Sequence, residues 1–214
     1  MIQDTFNPKG ARASSDFDIR HNITANTVVE LPFGPGKPIL PNFSGWANQI
    51  IGGWQVSSLM KYRGGQPLSI QNGGVFPTNY LVSAISVLRP RTPMPANGVG
   101  YDQTGAPSLF RNTNAYQSFM GQYPGTVGTR DIIRGPGFTN VDLAVSKFFT
   151  LPWERQRIQF RAEAFNVLNN VNFDNPSNFT AATATLSLAS PGTFGQLTSA
   201  AAARVMQFAL RYEF

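Results

Sequence analysis

Apolar and polar side chains alternate with a period of two in five stretches of this chain. The last is the cleanest. Within 204–214, Met206, Phe208, Leu210, Tyr212 and Phe214 alternate with Gln207, Ala209, Arg211 and Glu213. Such a period puts successive side chains on opposite faces of a β-strand. Near 20–31, His21, Ile23, Ala25, Thr27, Val29 and Leu31 share one face, and Arg20, Asn22, Thr24, Asn26 and Glu30 the other. A strand over 53–71 sets Trp54, Val56, Met60 and Tyr62 against Gln55, Ser57, Lys61 and Arg63. Gly64-Gly65 predicts a bulge there, with Leu68 and Ile70 continuing the same strand. Over 140–151, Val141, Leu143, Val145, Phe149 and Leu151 oppose Asp142, Ala144 and Ser146. Lys147 interrupts that apolar face, on a stem long enough to snorkel. Over 156–168, Ile158, Phe160, Ala162 and Ala164 oppose Arg157, Gln159, Arg161 and Glu163, before Asn166 to Asn170 end the strand.

Alternation alone fits both a soluble sandwich and a membrane barrel, because each presents one apolar face per strand. The connections favour the barrel. Segments 72–138 and 169–203 predict long loops, rich in Pro, Gly, Asn, Ser and Thr, which are uncommon within compact soluble domains. Outer-membrane barrels have long outer loops, short periplasmic turns and tilted strands of about 9–11 residues. With the C-terminus in the periplasm, 169–203 and 72–138 fall outside and the turn 152–155 falls inside. Segment 32–52 also falls inside and is long for such a turn. Trp153 in the short turn suits an aromatic at the membrane interface. The fold expected is therefore all-β: an antiparallel, up-and-down transmembrane barrel segment of about five long strands with long extracellular loops. Bacterial barrels have at least about 8 strands, and an open edge in lipid leaves backbone groups unpaired. The barrel is expected to be incomplete within this chain, and the chain to be the C-terminal part of a longer one, with no secretory leader visible at its start.

Composition agrees. Charged residues make up 13% of the chain, below the roughly 25% of soluble domains, and Gly and Pro together make up about a sixth. Seventeen Phe add to the strand-forming load. Without cysteine the chain has no disulfide and no thiolate metal site. It has no apolar run long enough for a transmembrane helix, which a barrel does not need. The net charge of +6 rests on dispersed rather than clustered basic residues, so nucleic acid is not an expected partner.

Candidate chemistry is sparse. His21 is the single histidine, near only Asp16 and Asp18, so neither a metal site nor a catalytic triad is expected. Gly34-Pro35-Gly36-Lys37-Pro38 lacks the ending of a phosphate loop and predicts a turn. Arg157, Arg161, Glu163, Arg211 and Glu213 fall on polar strand faces. They are expected to face a lumen, with ion pairs between the last two strands; the mixed charge argues against catalytic carboxylates. No enzyme activity and no cofactor is expected.

Several pieces resemble, in order and spacing, the C-terminal barrel segment of TonB-dependent outer-membrane receptors. The resemblance is to the Oar-like branch, which carries a carboxypeptidase-regulatory-like domain. The pieces are Asp18-Ile19-Arg20-His21, Leu31-Pro32-Phe33-Gly34, Gly52-Gly53-Trp54-Gln55, Gly65-Gln66-Pro67, Arg134-Gly135-Pro136-Gly137, Asp142 to Lys147, and Phe160 to Asn169 with Asn172-Phe173. Phe194-Gly195 and Arg204 to Phe214 complete the set. Asn170-Val171 stands where the family often has His-Pro. The resemblance implies a plugged barrel of about 22 strands in the outer membrane of a Gram-negative bacterium. It implies import of a bulky ligand of siderophore or oligosaccharide type. It also implies that the barrel-assembly machinery reads Phe208, Leu210, Tyr212 and Phe214, which would face lipid as well. The expected partners are outer-membrane lipid, that machinery, an N-terminal plug with further strands, and TonB through the plug. The alternatives are a soluble or secreted carbohydrate-binding β-sandwich and a passive structural barrel.

Overall fold

The computed structural model describes residues 9, 12–34, 36–39, 41, 45–72, 89–90, 93–121, 128–152, 156–176 and 185–214. In chain order the strands are β1 (Asn22–Glu30), β2 (Trp54–Arg63), β3 (Pro67–Leu68), β4 (Arg89–Pro90), β5 (Asn97–Tyr101), β6 (Pro107–Phe110), β7 (Phe119–Met120), β8 (Ile133–Arg134), β9 (Phe138–Thr150), β10 (Arg157–Phe165) and β11 (Val205–Glu213). A short helix α1 (Trp46–Ile51) precedes β2. The chain divides into two compact units. One, the wall, comprises Asn22–Tyr62, Thr139–Val171 and Ala202–Phe214; the other, the cored unit, comprises Met1–His21, Arg63–Phe138 and Asn172–Ala201.

The wall is one five-stranded sheet in the order β1-β2-β9-β10-β11. β10 pairs antiparallel with both β9 and β11, and the sheet is open at β1 and β11. An open edge is tolerable in lipid only when another strand completes it, which matches the expectation of an incomplete barrel. The turn residues 153–155, Trp153 among them, lie outside the described residues.

β10 ends because Asn166 turns left-handed, at φ +52°. Asn tolerates that region better than most residues. Its side chain then closes a local loop: Nδ2 donates to Asn170 O (2.9 Å) and Oδ1 accepts from Asn170 N (3.0 Å). Asp142 Oδ1 on β9 accepts the Asn166 N–H at 2.9 Å. Asn169, also left-handed at +54°, accepts from Arg204 N at 3.1 Å and so sets the start of β11. The polar run after Phe165 thus fixes where β10 ends and β11 begins, and ties that junction to β9.

The cored unit is built mainly from the stretches expected as long loops, together with residues 63–71 and the N-terminal segment. Their short strands pair β3 with β8, β4 with β7 and β5 with β6. Asp102 shapes the β5–β6 turn. The Thr104 hydroxyl and the N–H groups of Thr104 and Ala106 all donate to it, and the Thr104 hydroxyl above all holds its carboxyl below the usual range. Leu68, Ile70, Leu109, Phe110, Phe119, Ile133, Leu186, Phe194 and Leu197 form the buried cluster. Phe110 and Phe194 stack at 5.3 Å, and Phe119 lies 5.8 Å from Phe194. Gly195 permits this packing. It is left-handed (φ +81°), and a Cβ there would lie 2.6 Å from the Phe110 ring.

One expectation is corrected. The second strand does not run to residue 71; β2 ends at Arg63, and Pro67–Leu68 joins a different sheet. Gly64 donates its N–H to His21 O, and a Cβ on Gly65 would lie 1.9 Å from Gly135 O. The glycine pair therefore takes the chain out of the wall rather than bulging it.

Candidate functional site

The wall's function follows from its register. One face carries the rows Phe149–Ile158–Tyr212, Lys147–Phe160–Leu210, Val145–Ala162–Phe208 and Leu143–Ala164–Met206. The other carries Thr150–Arg157–Glu213, Phe148–Gln159–Arg211, Ser146–Arg161–Ala209 and Ala144–Glu163–Gln207. Every expected lumen charge therefore lies on one face, and Phe208, Leu210 and Tyr212 lie on the other. The apolar face of β11 is bare: Leu210 is 75% exposed and Phe214 94%. A contiguous apolar surface of this kind needs a nonaqueous neighbour. Tyr212 and Phe214 stack on one another at 6.0 Å.

Lys147 is the exception on the apolar face, and it is 3% exposed. Its Nζ donates to Gly52 O and lies 5.4 Å from the Trp54 ring and 5.1 Å from Phe149. Trp54 meets Phe160 edge-on at 6.1 Å. The ammonium is thus sheltered by aromatic faces and led to a backbone carbonyl just before β2, which is how a cation persists on such a face.

On the polar face the ion pairs differ in part from expectation. Arg157 and Glu213 pair across strands at registered positions. Arg161 pairs with Glu163, and Arg211 with Glu213, each within its own strand. Glu163 reaches the next strand by accepting from Gln207 Nε2. Arg157 also covers the Phe148 ring at 4.7 Å, which accounts for an aromatic on the polar face. Exposed pairs like these each contribute at most about 1 kcal/mol; their main effect is a face of mixed charge.

The cored unit gathers pieces far apart in the chain. Arg134 Nη1 donates to Asp18 O (2.9 Å) and Gly65 O (3.1 Å), and Nη2 to the Asp18 carboxylate. Gly135 N donates to Gln66 O at 2.8 Å. Asn175 Nδ2 donates to Gln66 Oε1 at 2.8 Å. Sequence reasoning missed this meeting; its only signal was that Gly65-Gln66-Pro67 and Arg134-Gly135 both combine Gly with Pro nearby. Beside the cluster opens a cleft of about 260 Å³, lined by Arg63, Gln66, Phe138, Phe173, Asp174 and Asn175 among others. In the same unit, Asp16 pairs with Arg130 at 2.7 Å. Asp131 is 3% exposed at its side chain, accepts from Ser69 Oγ, and leaves Oδ2 without a hydrogen bond. Burial first, and Asp16 beside it, push its carboxyl above the usual range. His21 gathers no ligand set: no group of three or more His, Cys, Asp or Glu suited to a metal occurs among the described residues.

Residues 1–207 match the family described as the outer membrane beta barrel domain. No curated protein and no solved structure matches the chain. The family decides between the barrel and the soluble sandwich, and it agrees with the exposed apolar face of β11. The chain belongs to the outer membrane beta barrel domain family.

Proposed function

We propose that this chain is the barrel segment of a TonB-dependent receptor of the Oar-like branch, in the outer membrane of a Gram-negative bacterium. It serves import of a bulky ligand of siderophore or oligosaccharide type and performs no chemistry of its own. The observation that carries this reading is the cluster around Arg134. Asp18, Gly65-Gln66-Pro67 and Arg134-Gly135 are separate pieces of the resemblance, and here they bond to one another and exclude a Cβ at Gly65. Residues that meet this closely support the resemblance as a matched set rather than scattered coincidences. In this reading the sheet is barrel wall, and Arg157, Arg161, Glu163, Arg211 and Glu213 face the lumen. Segments 72–138 and 169–203 face outward, where a ligand arrives. Phe208, Leu210, Tyr212 and Phe214 meet lipid and present the strand that the assembly machinery reads. TonB acts through an N-terminal plug.

Energy coupling is the property that separates this reading from a passive barrel. Cells expressing the full-length protein should accumulate a labelled ligand from a panel of ferric siderophores and oligosaccharides, and lose that uptake when TonB is removed. Uptake that persists at the same rate without TonB would establish the passive barrel instead.

A further inference from the structure

The cleft of the cored unit has a chemistry that the barrel reading does not use. Arg63 closes one side. Its guanidinium lies over the Phe138 ring at 6.0 Å, and it has no acidic partner among the described residues. Among the described residues its planar fork of N–H donors also has no hydrogen-bond acceptor. Gln66, which lines the cleft, accepts from Asn175 with its carbonyl, and its two amide hydrogens make no hydrogen bond among the described residues. Opposite in sign stands Asp174, whose Oδ2 accepts from Ser199 Oγ at 2.7 Å and whose other oxygen carries no hydrogen bond among the described residues. Phe138 and Phe173 supply ring surface. The cleft thus offers a fork for a carboxylate, further donors beside it, an acceptor for a hydroxyl, and aromatic faces for C–H groups. Arg pairs with carboxylate through two parallel hydrogen bonds.

We propose that this cleft is a subsite for one carboxylate-bearing ring of an acidic oligosaccharide, with Arg63 holding the carboxylate and Asp174 a ring hydroxyl. The chain's net charge of +6 favours the approach of such a polyanion. The proposal rests on the receptor reading and narrows its ligand from siderophore or oligosaccharide to an acidic glycan.

The test uses the full-length protein purified in detergent, titrated calorimetrically with oligogalacturonate, oligomannuronate, their methyl esters and ferric citrate. At least one free-acid oligosaccharide should bind, and its ester at least about tenfold more weakly. Arg63→Gln should weaken the acid by about tenfold or more and bring acid and ester together. Asp174→Asn should weaken both forms alike. Heat-modifiable migration on gels shows that each variant is folded. Absence of acid binding, equal binding of the ester, or an Arg63→Gln variant that binds as the parent does would overturn the subsite. Ferric citrate bound in preference would overturn the glycan and assign the fork to a carboxylate siderophore. Binding needs no TonB, so these outcomes are separate from loss or retention of TonB-dependent uptake.

Discussion

The same residue types do opposite things in the two units of this protein. In the wall, Leu210, Phe208 and Tyr212 stand exposed on the edge strand β11. In the cored unit, Leu109, Phe110 and Phe194 are almost wholly buried, Phe110 at 1% exposure. In the proposed barrel the first set contributes through contact with lipid; the second contributes through close packing against other side chains. Apolar content therefore says little by itself about how a residue stabilises this chain; what surrounds it decides.

The sharpest way to expose that difference is to truncate the packed side. Phe110 stacks on Phe194, meets Phe119 at 6.1 Å, and sits against Gly195. Phe110→Ala leaves a cavity that these neighbours cannot fill, at a cost of about 3–5 kcal/mol. The loss should be the same in detergent and in lipid, because neither solvent reaches the ring. Hydrogen exchange should show amides of 107–110 and 194–197 losing protection while those of 157–165 and 205–213 keep theirs. Equal loss across both sets would mean that the two units unfold as one.

On the wall the damaging change is charge rather than truncation. Leu210 sits opposite Phe160 in the middle of the apolar face. Leu210→Arg should destabilise the protein by about 2–4 kcal/mol when it is folded in a bilayer, and Leu210→Ala by clearly less. Urea titration of the protein refolded into vesicles measures both. If Ala costs as much as Arg, Leu210 is packed against protein and the lipid-facing assignment of this face fails.

The difference between the units also explains what could be read from the chain. Wall strands are 9 to 13 residues long. That length lets alternation assign faces, and Phe160, Phe208 and Leu210 fall where the period puts them. In the cored unit β3, β4, β7 and β8 have two residues each, too few for any period. Ile133 pairs with Leu68 and packs with residues beyond 180, so its burial depends on contacts that no local pattern records. Gly64-Gly65 was visible as a break, but not which way the chain turns, because the cause is the Gly135 carbonyl far along the sequence. Lys147 was legible as an anomaly on an apolar face. Its resolution, a carbonyl 95 residues earlier, was not.

The smallest effect distinguishes the units by solvent rather than by packing. Charges of the wall's polar face, such as Arg157, remain accessible to water, whereas Asp131 of the cored unit is enclosed. Burial, with Asp16 nearby, raises its folded pKa, against the opposing pull of Ser69 and Arg130. A raised folded pKa means that the folded state binds the proton more tightly than the unfolded chain does. That contribution is complete below the unfolded value of about 3.9 and is lost as pH rises through the folded value. Asp131→Asn removes the charge, keeps an oxygen to accept from Ser69, and tolerates the left-handed backbone at φ +57°. The variant should match the parent near pH 3.5 and be modestly more stable near pH 7.5, roughly the range where the parent alone carries a buried charge. Denaturant midpoints at the two pH values, read by exchange protection within 128–134, give the comparison. A variant equally stable or weaker near neutral pH would mean that the Asp131 carboxylate is compensated in the folded protein, and that this enclosed site is as well solvated as the wall's polar face.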